Sequence, residues 1–209
     1  CNGANKVFRQ EAGSINATNL FTWAGGRFDF VGGFLTGSVA VRNGSLDVAE
    51  AAGASTLIAA GNSTLIGNRA TNVTVWVEGG LYGDATLTTH TNGSLNLGTI
   101  RLESAGGTWT SAISTPAPGL TNGPAGIISS RTGAGGARWL SGTLVNQGLV
   151  SAETGYYLDL SGHLEEAGGR FEGSVRIRNS LLRVTASPAA PTTMLLWNVN
   201  TLATDNQPN

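Results

Sequence analysis

The chain reads as a succession of short segments in which apolar and other residues alternate, separated by turns rich in Gly and Asn. Residues 73–78 show this most clearly, because every second residue is a valine. Side chains alternate between the two sides of a β-strand, so this spacing predicts a half-buried strand. Its valines should face the interior, and its other side chains, Thr74, Trp76 and Glu78, should face outward.

Two such segments meet at Gly98 without enough residues between them for a hairpin loop. Before this glycine we expect Leu95 and Leu97 to point inward and Asn96 to point outward. After it, the same alternation predicts that Ile100 and Leu102 point inward and that Arg101 and Glu103 point outward. Two strands that meet at one glycine are typical of a coil that turns a corner.

Strand-like segments recur about every eight residues between Val39 and Leu196, with almost no helical periodicity. With three strands per coil, one turn would take about 23 residues. The sequence therefore predicts an all-β protein, a parallel β-helix or β-solenoid of about 20–25 residues per coil, which we expect to be right-handed. A β-sandwich gives a similar spacing and is the alternative. The Gly corners and low charge favour the solenoid, and we expect residues 1–209 to form one continuous solenoid segment.

A long internal repeat supports this architecture. The pentapeptide Ala24–Phe28 recurs as Ala167–Phe171, and the segment Gly37–Asn43 returns, with two changes, as Gly173–Asn179. The matched segments are about 136–143 residues apart, and we assign the repeat unit to residues 24–166, followed by a partial second copy in residues 167–209. A repeat of this kind indicates a segment of a larger repetitive array.

The composition limits the classes of function. Only 12% of residues are charged, the net charge is −1, and Lys6 is the single lysine, so the chain lacks the basic surface that nucleic-acid binding needs. No run of 18 apolar residues occurs, so we expect no membrane insertion. Cys1 is the only cysteine and excludes an internal disulfide; it marks either a lipidation site or a fragment boundary.

Two stretches that contain proline, Ile113–Ala125 and Ser187–Pro191, are expected to leave the regular coil.

Three segments resemble a known group of proteins. Phe21–Gly26, Asn92–Ile100 and Leu144–Val150 are similar to the β-strand repeats of very large bacterial cell-surface proteins, of the adhesin and autotransporter-passenger kind. The resemblance covers most of the chain between Leu20 and Val184. It implies a parallel β-helix outside the cell with a structural or adhesive role, and it provides no catalytic residues.

Residues with catalytic or metal-binding potential are scattered. His90 and His163 are far apart and have no acidic or cysteine cluster at ligand spacing, so we expect both at ordinary turn or surface positions. Glu165 and Glu166 are adjacent, but strand neighbours face opposite sides. The segment Gly79–Asp84 is only weakly similar to a calcium-binding nonapeptide. We therefore predict no catalytic residue, no metal and no cofactor, and a protein that is not an enzyme.

These observations favour an extracellular, cell-surface β-solenoid that acts as a stalk, spacer or filament-forming segment, with an adhesive role as an extension. Its partners would be further copies, associated end to end, and surface glycans. Trp76, which opposes the valine face, is the candidate carbohydrate contact. The alternatives are a β-helix polysaccharide lyase or hydrolase, which needs convergent carboxylates, and a carbohydrate-binding module, which needs exposed tryptophans side by side.

Overall fold

A computed structural model describes residues 5–186, 194–199 and 201–204, without the side chains of residues 18–21 and 201–204. Cys1 and the predicted excursion at Ser187–Pro191 lie outside the described residues. Within them the protein is all-β and contains no helix. The strands are β1 (Val7–Gln10), β2 (Ser14–Ala24), β3 (Arg27–Phe30), β4 (Phe34–Arg42), β5 (Ser45–Val48), β6 (Ser55–Ala60), β7 (Asn62–Asn68), β8 (Val73–Gly79), β9 (Ala85–Thr89), β10 (Ser94–Asn96), β11 (Thr99–Ser104), β12 (Ser111–Asn122), β13 (Ile127–Ser130), β14 (Arg138–Asn146), β15 (Leu149–Ala152), β16 (Leu158–Ala167), β17 (Arg170–Gly173), β18 (Val175–Arg178), β19 (Leu181–Ala186), β20 (Leu195–Trp197) and β21 (Thr201–Thr204).

The strands form a parallel β-solenoid of about nine turns, which confirms the predicted fold class. An 8-stranded sheet, here called the first sheet, contains β2, β4, β6, β8, β11, β13, β15 and β17. A 13-stranded sheet, the second sheet, contains the remaining strands. Turn length varies more than the predicted 20–25 residues, because Asp159 and its neighbour Arg176 are 17 residues apart whereas Asn68 and Asn96 are 28 apart.

Valine, leucine, isoleucine and phenylalanine side chains fill the interior, stacked turn upon turn. Val73, Val75 and Val77 of β8 point inward and are buried, as their alternation predicts. In the first sheet, Val75 pairs with Ile100, which pairs in turn with Ile128, so each turn covers the apolar side chains of the previous one. This burial of apolar area stabilises a chain whose interior needs no disulfide.

Glycines make the corners where the chain must pass close to the preceding turn. Gly98 separates β10 of the second sheet from β11 of the first, as predicted. A Cβ atom at this position would lie 2.4 Å from the carbonyl oxygen of Ala70 and 2.5 Å from that of Val73. Only glycine therefore fits this corner without moving the backbone.

The two copies of the internal repeat share their local backbone geometry. Gly37 and Gly173 both have positive φ, at 79° and 74°, and so do Asn43 and Asn179, at 50° and 45°. The pentapeptide copies nevertheless lead into different sheets, since β3 belongs to the second sheet and β17 to the first. The repeat thus reproduces a glycine with positive φ, a short β-segment and an asparagine turn.

The excursion predicted at Ile113–Ala125 is smaller than expected. Most of this stretch belongs to β12, and the register with β14 shifts only between Thr115 and Leu120. The exposed residues of β12, Pro116 to Pro118, lie inside this shift. The ladder continues on both sides because proline, which lacks an N–H group, is confined to the bulge.

Candidate functional site

The outer side of the first sheet carries Trp76, the candidate carbohydrate contact. The indole packs against a small apolar cluster that includes Ala40 and Ile58, and its Nε1 donates a hydrogen bond to the carbonyl oxygen of Glu103 (3.1 Å). The Arg101 guanidinium carbon lies 4.3 Å from the centre of the indole ring system. Trp76 therefore points outward, as predicted, but it is half-buried and its ring stacks against an arginine.

The segment between β8 and β9 covers the same cluster. Tyr82 lies against it, its hydroxyl group lies 2.8 Å from Thr22 Oγ1, and the Arg42 guanidinium stacks on its ring at 4.3 Å. Glu78 accepts hydrogen bonds from the backbone N–H of Leu81 at both carboxylate oxygens, at 3.2 and 3.0 Å. These contacts hold the segment Gly79–Asp84 against the sheet. The carboxylate of the preceding residue, Glu78, stabilises the turn that starts this segment.

Glu78 corrects one detail of the predicted alternation, because it is buried and not solvated. Burial raises the pKa of this carboxyl group, and the hydrogen bonds from the Leu81 and Ala105 backbone lower it in part. The position is the outward one of β8, but the loops of two successive turns enclose it. The Glu78 carboxylate therefore holds these loops in place by accepting their backbone hydrogen bonds.

The remaining tryptophans lie at separate places. Trp109 and Trp197 are the most exposed, at 46% and 63%; the first precedes β12 and the second ends β20. Trp23 packs against the ring of Phe8, with ring centres 5.6 Å apart. Trp139 stands in β14 directly beside Asp159 of the next turn.

The histidines and most acidic residues also remain apart. His90 Nδ1 accepts a hydrogen bond from the backbone N–H of Asn92 in the turn before β10, whereas His163 is exposed on β16. Among the described residues, no group of three or more His, Cys, Asp or Glu side chains is placed to hold a metal ion.

One shallow groove on the first sheet brings two carboxylates together. Glu153 and Glu172 line it with the hydroxyl groups of Ser129 and Ser151. Glu172 forms an ion pair with Arg170 (2.7 Å), and Glu153 accepts a hydrogen bond from Thr132 N–H (3.0 Å). This hydrogen bond holds the pKa of Glu153 below its ordinary value, whereas the general acid of a glycosidase needs a raised pKa. Glu153 therefore does not fit the role of the general acid in glycoside hydrolysis.

The structure contains a column of buried polar side chains that the alternation of apolar and polar residues did not predict. Asn96 is fully buried, and Leu95 and Leu97 are half-exposed, so the predicted orientation of β10 was wrong. The buried positions of successive turns belong to one ladder at the corner between the two sheets, which consists of Asn68, Asn96, Asn122, Asn146 and Glu166.

Each amide of this ladder donates to the next residue in the same direction. The Nδ2–O distances are 3.0 Å from Asn68 to Asn96, 2.8 Å from Asn96 to Asn122, and 2.9 Å from Asn122 to Asn146. Asn146 Nδ2 then donates to Glu166 Oε2 (2.9 Å). The Nδ2 groups also reach carbonyl oxygens of the first sheet, for example Asn122 to Leu149 at 3.2 Å. The ladder thus bonds turn to turn and sheet to sheet.

Glu166 ends the ladder as a buried carboxylate. Its Oε1 atom has no hydrogen-bond partner, and the position beside it on the next turn is Val184. Burial raises the pKa of this carboxyl group against the opposing effect of the Asn146 and Gly169 hydrogen bonds. Glu165 lies on the outer surface, which confirms that the two adjacent glutamates face opposite sides.

A buried charge of the opposite sign belongs to Arg138, which supports the loop before β14. Its guanidinium donates to the carbonyl oxygens of Ala137 (3.2 Å) and Thr132 (3.1 Å), and burial lowers its pKa. These bonds tie the loop to the arginine, and the Ala137 carbonyl oxygen also accepts a hydrogen bond from the Ser111 N–H (3.0 Å).

Comparison with known proteins provides no family for this chain: no protein family, curated protein or solved structure matches it. The described residues contain no helix, and so none of them forms a helix that could span a membrane.

Proposed function

We propose that this chain is a stiff structural segment of an extracellular rod, a stalk or spacer in a large repetitive surface protein. The observation that carries the proposal is the unbroken stacking of parallel strands in both sheets along the described chain. At about 4.8 Å per turn, about nine turns give a rod on the order of 43 Å long.

Three internal features make such a segment resistant to bending and local opening. Backbone hydrogen bonds run along the axis in both sheets, the apolar side chains stack in the interior, and the amide ladder joins the sheets at their shared corner. In a solenoid, stability arises mainly between neighbouring turns, so a longer array extends the same interactions. The resemblance of three segments to bacterial surface repeats supports a location outside the cell.

The terminal turns support continuation of the coil, by further sequence or by another copy placed end to end. Leu196 follows Ile177 in the inward column of the second sheet, yet it is 51% exposed. At the other end, Phe8 of the terminal strand β1 stands beside Phe28 in the inward column and is only half-buried. A further turn on either end would cover these apolar side chains.

Electron microscopy of the full-length parent protein tests the proposal. We expect thin rods whose length grows in proportion to the number of residues, at about 4.8 Å per turn. Protease treatment of intact producing cells should release fragments of this segment. A compact parent particle, or a segment that is protected until the cells are lysed, would contradict the structural or the extracellular part of the proposal respectively.

A further inference from the structure

The amide ladder has a consequence for the outer surface of the second sheet. Because asparagines occupy the inward positions at this corner, the neighbouring aliphatic residues must face outward. Leu95 pairs with Thr121 of the next turn, and Thr121 with Val145. All three are half-exposed, and together with Ile66 they form what we call the outer strip.

The outer strip follows the solenoid axis and lies in grooves at both ends. A groove of about 460 Å³ contains Ile66 and Leu95 beside Arg69, and another of about 250 Å³ contains Val145 beside Glu165. The strip spans four successive turns from Ile66 to Val145, and Glu165 lies beside it on a fifth turn, so this row of residues is on the order of 20 Å long. A long, narrow apolar surface of this kind fits an elongated partner.

We propose that the outer strip binds the outer strip of a second copy of this chain, side by side and in antiparallel orientation. A second solenoid has the same turn spacing, so the half-exposed residues of one outer strip lie opposite those of the other turn by turn. The net charge of −1 gives little repulsion between copies. An antiparallel pair with Thr121 at its centre places Leu95 of one copy opposite Val145 of the other.

The charges at the ends of the outer strip select this orientation. Arg69 lies at one end, where it also pairs with Asp47 (2.9 Å), and Glu165 lies at the other end, near Arg183 and His163. A parallel pair would place Arg69 opposite Arg69 and Glu165 opposite Glu165. The antiparallel pair places each arginine opposite a glutamate. Because ion pairs at the rim of an interface are weak, these pairs determine the relative orientation of the two copies and add little to their affinity.

The contact area makes a single pair weak. A strip on the order of 20 Å long and one sheet face wide covers a few hundred Å² per copy, whereas stable dimers bury about 800 Å² per partner. Rods that carry the strip repeatedly would associate firmly, because linked contacts reinforce one another. The proposal concerns lateral contacts and is independent of whether the rod is extracellular.

Disulfide trapping tests the orientation. In a Cys1→Ser background, Leu95→Cys and Val145→Cys chains, one of them isotope-labelled, are mixed, oxidised mildly and analysed by mass spectrometry. We expect the disulfide between positions 95 and 145 to exceed the 95–95 and 145–145 products at least fivefold. Ser129→Cys, which is half-exposed on the first sheet, is the matched control and should cross-link poorly. Dominant 95–95 products would overturn the antiparallel pairing.

Sedimentation equilibrium at up to about 1 mM tests the surface itself. We expect a monomer–dimer equilibrium that Leu95→Asp weakens at least tenfold and Ser129→Asp leaves within twofold, with both variants retaining the thermal unfolding midpoint of the parent chain within a few degrees. A chain that stays monomeric at every concentration, or dimers that Leu95→Asp does not weaken, would overturn the proposal and leave the outer strip to another occupant.

Discussion

Replacing Glu166 with glutamine should stabilise the protein at neutral pH. The side chain is 2% exposed, its Oε2 accepts from Asn146 and its Oε1 has no partner. Glu166→Gln keeps an acceptor for Asn146 and removes a buried charge. The amide nitrogen of the glutamine takes the unpartnered Oε1 position, so the gain comes only from removing the charge. A charged unsatisfied group costs more than a neutral one, and we expect the free energy of unfolding at pH 7 to rise by about 1 kcal/mol.

The pH dependence follows from the direction of the pKa shift. Burial raises the pKa of Glu166 in the folded protein, so the folded state holds the proton more tightly than the unfolded state. The contribution of Glu166 to stability is therefore fully present below its unfolded pKa of about 4.3 and is lost as the pH rises through its folded pKa. The advantage of Glu166→Gln should be largest at neutral pH and shrink towards zero near pH 4.

Urea unfolding followed by circular dichroism, at several values between pH 4 and pH 8, measures both effects. For a chain of this size each kcal/mol also corresponds to about 2–4 °C in the thermal midpoint. Glu165→Gln is the matched control, because this neighbour faces outward, and its effect should stay within about 0.5 kcal/mol. A Glu166→Gln variant that is less stable at pH 7, or whose advantage grows as the pH falls, would refute the argument.

Three further predictions concern the ladder, the corners and the outer cluster. Asn122→Ala leaves Asn96 Nδ2 and Asn146 Oδ1 without their ladder partners and should cost about 3 kcal/mol or more in urea unfolding, whereas the outward Thr121→Ala should cost under about 1 kcal/mol. Gly142→Ala places a Cβ atom 2.1 Å from Thr115 O at a φ of 115° and should lower the thermal midpoint more than Gly155→Ala, where φ is 95° but no atom lies within 4 Å. Trp76→Ala should cost about 2–4 kcal/mol, and an unchanged melting curve would contradict the packing of its indole under Arg101.

Much of the fold could be predicted from strand spacing and glycine corners. The valines of β8 correctly predicted which side of this strand faces the interior, and Gly98 correctly predicted a corner. Both signals are local in the sequence. The orientation of β10 could not be predicted in the same way. Alternation shows which residues share a side of a strand, but hydrophobicity alone assigned the wrong side, since the asparagine partners of Asn96 lie 28 and 26 residues away.

The ladder did leave a signal in the sequence. Each ladder residue after Asn68 stands two to four residues before the glycine that directly precedes the next strand of the first sheet: Asn96 before Gly98, Asn122 before Gly126, Asn146 before Gly148 and Glu166 before Gly169. Aligning the turns on this pattern would have placed the amides in one column. The capping of Trp76 by Arg101 left no comparable signal, because it depends on how the outer side chains of two adjacent turns are stacked.

At this corner asparagines face the interior and aliphatic residues face outward. The residues that stabilise the corner therefore also determine which residues lie on the surface. An asparagine can donate to the next turn and to the opposite sheet, whereas a leucine at the same inward position would form neither hydrogen bond. Once the amides are inside, strand alternation forces aliphatic residues such as Leu95 and Val145 to the outside. The apolar surface that results lies on the turns of Leu95 and Val145, and it is available for lateral contact without any change in the coil.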